Sequence, residues 1–132
     1  LVDCEWLGVY PGAVDLDGFL RWAYCSWPAN PNSDATYNPW FGRWSAGGTF
    51  LAYPDGPSLR CLALFNGLNL SEKLKILRDE GKVDDALAAA LREFEYKGAK
   101  AYGTYPAHAV LRRAEALVHT RSSASEAGAG QP

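Results

Sequence analysis

The sequence changes character near Pro57. Residues 1–57 are rich in glycine, proline and aromatic side chains, whereas residues 58–121 are rich in Ala, Leu, Lys, Arg and Glu. Aromatic residues favour pleated backbone and straight-chain residues favour helix, so the switch predicts a strand- and loop-rich segment followed by a helical one. At 132 residues, 48% of them apolar, one packed core accommodates both. The tail from Ser122, SSASEAGAGQP, has no apolar side chain larger than alanine and is expected to be disordered.

In the first segment, the Asp17-Gly18 turn leads into FLRWAY, and Phe19 to Cys25 reads as a strand. Alternation puts Phe19, Arg21, Ala23 and Cys25 on one face and Leu20, Trp22, Tyr24 and Ser26 on the other. Neither face is purely polar, so both are expected to be covered, with Phe19 and Leu20 in the core. PANPNSDATYNP is dense in turn formers and reads as a long loop. GTFLAYP reads as a second short strand, closed by Pro54 and an Asp-Gly-Pro turn.

Helical periodicity governs the second segment. Leu59, Leu62, Phe65 and Leu68 form an apolar stripe that Leu70, Leu74 and Leu77 continue, with Gly67 a weak point and Gly81 a stop. A second stripe comprises Val83, Leu87, Ala90, Leu91 and Phe94, with Gly98 at the expected C-cap. A third helix is predicted to start near Pro106 and to bury Val110, Leu111, Ala114, Leu117 and Val118. No internal repeat interrupts this order.

Several function classes are disfavoured. A formal charge of −2, with both signs interspersed, provides no field to hold a phosphate backbone, so nucleic acid is not an expected partner. The longest apolar runs, CLALF and ALAAAL, fall far short of the roughly 20 residues that span a bilayer, and no membrane segment is expected. Cys4, Cys25 and Cys61 have no CxxC spacing and lie far in sequence from His108 and His119. No metal, cofactor or disulfide framework is therefore expected, and each thiol reads as a small buried hydrophobe. The opening LVDCEWLGVYPG has neither a basic nor a sustained apolar leader region and looks cut.

Paired carboxylates are the usual acid and base of sugar hydrolysis. Asp79 and Glu80 sit at a helix end, and Asp84 and Asp85 complement the dipole of the next helix. Asp3 and Glu5 remain as catalytic candidates, provided the backbone there is extended, because only then do side chains two apart share a face. No GxSxG elbow accompanies the histidines, and His119 reads as a favourable charge near a helix C-terminus. AGGTF is too poor in glycine, and leads into the wrong element, for a phosphate loop. What stands out is the set Trp22, Tyr24, Trp27, Trp40 and Trp44 with Arg21 and Arg43. Flat rings beside planar guanidinium donors match the apolar C–H faces and hydroxyl rim of a pyranose; for any single ring core is the better reading, and it is their setting as a group that favours a sugar wall.

Three ordered stretches carry a family resemblance: LDGFLRWAY with the following SW, the AGGTFLAYP segment, and the EKLKILR helix. Over about residues 6–81 the chain resembles the C-terminal part of the DUF4091 region of proteins related to glycoside hydrolase family 123. The resemblance implies the C-terminal portion of a (β/α)8-barrel-like α/β domain, with few strands followed by three or four helices. It implies an amino sugar or glycan as ligand, a β-N-acetylgalactosaminidase type of hydrolysis assisted by the substrate's acetamido group, and a secreted or periplasmic location. The family's Asp-Glu pair would lie upstream of these motifs, leaving Trp22, Tyr24 and Trp27 as substrate wall. Cys25, Gly48, Leu62, Phe65 and Asn66 depart from the family pattern, mostly towards less polar groups. A non-catalytic carbohydrate-binding or assembly module, or a barrel fragment with purely structural aromatics, is the alternative. Isolated barrel strands have open edges, so self-association or an upstream barrel segment is an expected partner.

Overall fold

The computed structural model describes residues 2–20, 51–94 and 106–129. The chain opens on helix α1 (Val2–Ala13), where sequence reading expected strand and loop. An antiparallel hairpin follows, with β1 (Ala52–Tyr53) paired to β2 (Gly56–Pro57) in the register Ala52 to Pro57 and Tyr53 to Gly56. Next come α2 (Leu59–Asp79), α3 (Asp85–Arg92) and α4 (Ala107–Ala129). The described residues are thus mostly helical with one small sheet, a mixed α/β arrangement.

Helix α1 owes its existence to packing more than to propensity. Cys4, Gly8 and Gly12 recur at four-residue intervals along one face, and all three are buried. That face meets Gly67 and Ser71 of α2, which have the same spacing. A Cβ at Gly67 would lie 2.2 Å from the Glu5 carbonyl oxygen, and one at Gly8 would lie 2.7 Å from the Leu64 carbonyl oxygen and the Leu68 nitrogen. Small residues let the two backbones touch, so Gly67 is a contact point of α2 and not its weak point.

The outward face of α2 is a second correction. Its buried residues are Cys61, Leu64, Gly67, Leu70, Ser71, Leu74 and Leu77, whereas Leu62 and Phe65 are 49% and 52% exposed and Leu59 is more exposed still. The stripe expected from Leu59, Leu62 and Phe65 therefore points to solvent. Approach to α1 selected the face bearing glycine and serine.

Helix ends are closed by local chemistry. Ser58 caps α2, accepting from the Cys61 N–H at 3.3 Å. At the other end Gly81 adopts φ +66°, the Gly81 N–H donates to Arg78 and the Lys82 N–H to Leu77, a left-handed double closure as expected of this glycine. Asp84 caps α3 through the Leu87 N–H at 2.9 Å. Helix α1 closes similarly, with Asp15 at φ +62° and the Leu16 N–H donating to Pro11.

The main core draws on all four helices: Val9 and Ala13, Leu70, Leu74 and Leu77, Leu87 and Leu91 with Phe94, and Val110, Leu111, Ala114 and Val118. The stripes expected of α3 and α4 are present. A smaller cluster contains Cys4, Leu51, Cys61 and Leu64. Two further expectations change. Phe19 and Leu20 stand 36% and 98% exposed, belong to no strand and are not core, while the rest of the strand expected over Phe19 to Cys25 lies outside the described residues. Helix α4 continues through Ser122 to Ala129, so His119 lies within the helix and not at its C-terminus. Alanine and serine extend a helix already anchored by Val110 to Val118 without needing to bury anything themselves.

Candidate functional site

Helices α1 and α2 run parallel. Moving along α1, Gly8 meets Leu64 to Leu68, Gly12 meets Ser71, and the Gly12 and Ala13 carbonyls accept from Arg78, which also pairs with Asp15 at 3.5 Å. Arg78 thus supplies donors and positive charge to the C-terminal end of α1, where unpaired carbonyls collect. Parallel neighbours cannot be joined by a tight turn. The chain must travel back from Asp15, beside Arg78, to Ser58 at the start of α2, a distance of about 30 Å at 1.5 Å per helical residue.

The far end of that return is firmly held. Leu51 is buried, and its carbonyl oxygen accepts from both the N–H of Ser58, at 3.0 Å, and the Ser58 hydroxyl, at 2.7 Å. Ser58 therefore fixes the helix start and the incoming chain together. Pro54 and Asp55 form the connection of the hairpin, and Gly56, at φ +143°, occupies backbone that other residues rarely adopt. Arg21, Trp22, Tyr24, Trp27, Trp40, Arg43 and Trp44, the residues read as a sugar wall, lie outside the described residues, within this connection.

Asp3 and Glu5 are described, and the condition for pairing them is not met. Residues 2–13 are helical, so side chains two apart diverge by about 200° around the axis. Asp3 is exposed, whereas the Glu5 carboxylate is largely buried and bonded to Arg112, which also holds Glu115. Partial burial alone would lower the Arg112 pKa. Attraction to Glu5 and then Glu115, with their hydrogen bonds, outweighs this and raises it. Glu5 is thus engaged in joining α1 to α4. Beside it, Trp6 stacks on Phe94 with centroids 4.4 Å apart, a second link between α1 and the C-terminal part. Sequence reasoning missed Arg112, which lies 107 residues from Glu5 and bears no local mark of the contact.

Among the described residues, no group of three or more His, Cys, Asp or Glu could hold a metal, and no helix is long and apolar enough to cross a membrane. Two further ion pairs join α4 to the two ends of α3, Arg121 with the N-cap Asp84 and Arg113 with the C-cap Glu93.

Residues 1–77 match the catalytic domain of glycoside hydrolase 123, more than half of the chain. The chain belongs to glycoside hydrolase family 123. A search of curated proteins returns no match. The family 123 match takes in α1, the whole return connection, the hairpin and α2 as far as Leu77, and leaves α3 and α4 outside. The part shared with the family is therefore two parallel helices and the chain that joins them. This glycoside hydrolase-like portion contains every residue read as sugar-contacting, together with Asp3 and Glu5.

Proposed function

We propose that this chain supplies the sugar-contacting wall of a family 123 hydrolase of the β-N-acetylgalactosaminidase type. Its α1, return connection and α2 form a helix-strand-helix unit of a (β/α)8 barrel, the DUF4091-like part of the fold. The observation that carries this reading is the parallel packing of α1 on α2. In such barrels neighbouring outer helices run parallel, and each connection between them contains a strand running the opposite way. The return from Asp15 to Ser58 has the required direction, and residues 21–25 within it have β-favouring composition. The loop beyond it then belongs to the face where the C-terminal ends of barrel strands hold substrate.

Arg21, Trp22, Tyr24, Trp27, Trp40, Arg43 and Trp44 are the residues assigned to this wall. Their rings cover apolar sugar faces, and the guanidinium groups donate to hydroxyl or acetamido oxygens. Recognition is the role assigned to the chain, and the acid/base role is assigned to neither Asp3 nor Glu5. The engagement of Glu5 by Arg112 and the divergence of Asp3 from it favour, as a second reading, a carbohydrate-binding module without turnover.

An aryl β-N-acetylgalactosaminide assay run beside a fluorescence titration separates the two. Quenching by N-acetylgalactosamine that is lost in Trp27→Ala, with turnover, supports the hydrolase. Quenching without turnover supports the binding module, and no quenching at any concentration removes both.

A further inference from the structure

We propose that helix α2 is the surface through which two copies of this chain associate, packed antiparallel along a seam of Leu62, Phe65, Asn69, Glu72 and Ile76. These positions alternate steps of three and four residues, the spacing that keeps one line of side chains facing a neighbouring helix. Leu62, Phe65 and Ile76 are 49%, 52% and 55% exposed, and Asn69 and Glu72 are exposed between them. Neither core cluster of the described residues includes any of the five. Asn69 stands two residues from both Gly67 and Ser71, about 200° away around the axis in either direction. The seam therefore runs along the side of α2 opposite its contact with α1.

The two polar members select the occupant and its direction. In a parallel pair every seam residue meets its own copy, which sets the two Glu72 carboxylates against each other, and like charges destabilise the contact. In an antiparallel pair with its twofold axis between Asn69 and Glu72, the Asn69 amide of one copy meets the Glu72 carboxylate of the other. The step from Phe65 to Asn69 equals that from Glu72 to Ile76, so the same register sets Phe65 against Ile76 of the second copy. Glu72 already accepts from Lys75 at 3.2 Å, and a carboxylate has further lone pairs for the Asn69 amide N–H.

Twofold symmetry repeats each contact, so two apolar pairs flank two polar ones. Leu62 stands one turn beyond Phe65 and completes the apolar group at each end. The seam is thus complementary to itself in one direction only, which points to a second copy of this chain in preference to an unrelated helix. Three apolar side chains on one helix make an interface below the roughly 1,200 Å² of stable complexes, so the association is weak and reversible. It rests on α2 alone and holds whether or not the connection between α1 and α2 binds sugar.

Sedimentation equilibrium of the full chain, from micromolar to millimolar concentration, tests the seam. A monomer–dimer equilibrium is expected. Phe65→Asp and Ile76→Asp each remove an apolar contact twice over and are expected to weaken the dimer by about tenfold or more, with the circular dichroism of the monomer unchanged. Asn69→Lys reads the direction and does not depend on a loss: its new ammonium group meets Glu72 of the second copy and tightens the dimer at low salt, a gain that high salt removes. A monomer throughout the range, a dimer indifferent to both aspartate substitutions, or a dimer that Asn69→Lys fails to tighten would each overturn the proposal.

Discussion

Gly67 illustrates how a single residue can reverse an expectation drawn from composition. In an exposed helix interior, glycine to alanine gains up to about 1 kcal/mol. Here the new methyl group would meet the Glu5 carbonyl at 2.2 Å and the Gly8 Cα at 3.0 Å, both backbone atoms that cannot swing aside. Gly67→Ala is predicted to lose about 1–3 kcal/mol, the usual cost of overpacking, as a lower urea midpoint with unchanged slope. A gain in stability would mean that α1 does not lie on α2 as described. Glu5 is the other decisive residue. Glu5→Gln keeps its shape but weakens the bond to Arg112, and a loss of about 1 kcal/mol is expected, the upper range for a partly exposed ion pair.

At the scale of elements, α3 depends on its cap. The hydrogen bond from Arg121, then that from the Leu87 N–H, outweighs desolvation and holds the Asp84 carboxyl below its ordinary value of about 3.9. A depressed folded pKa contributes stability above the unfolded value, and that contribution disappears as pH falls through the folded value. Asp84→Asn is therefore predicted to flatten the fall of the thermal midpoint with acid from about pH 5 downward, and to leave its shape above neutrality unchanged. An identical acid limb in both proteins would rule out this role for Asp84.

The elements also differ in how far the sequence revealed them. Helices α3 and α4 each have one apolar stripe, so Leu87 and Leu91, and Val110, Leu111, Ala114 and Val118, were legible as core. Helix α2 has large apolar residues on more than one face. Counting Leu and Phe favours Leu59, Leu62 and Phe65, whereas the structure buries the face on which Gly67 and Ser71 allow close approach. Helix α1 was missed for the same reason, since Gly8, Pro11 and Gly12 argue locally against the helix that packing stabilises. The aromatic and arginine set was visible as residue chemistry, but no local pattern could foretell that Glu5, named beside it as a catalytic candidate, is taken by Arg112.

Across the whole molecule, the C-terminal helices complete a core that the family-matched part begins. Val9 of α1 and Leu70, Leu74 and Leu77 of α2 share one cluster with Leu87, Leu91 and Phe94 and with the inward face of α4. Phe94→Ala, which removes the ring stacked on Trp6, is predicted to cost about 3–5 kcal/mol. Its effect should spread through every helix, so tryptophan fluorescence and far-ultraviolet circular dichroism should report one coincident transition. Two separated transitions would show that residues 1–77 and the C-terminal helices fold independently.

The connection between the two parallel helices is proposed to carry a sugar-binding wall. The five tryptophans test it directly, because Trp6 is packed between Tyr10 and Phe94 and serves as an internal control. In a chain with isotope-labelled indoles, titration with N-acetylgalactosamine should shift the N–H resonances of Trp22, Trp27, Trp40 or Trp44 and leave that of Trp6 in place. Unmoved resonances throughout, or a shift confined to Trp6, would contradict it.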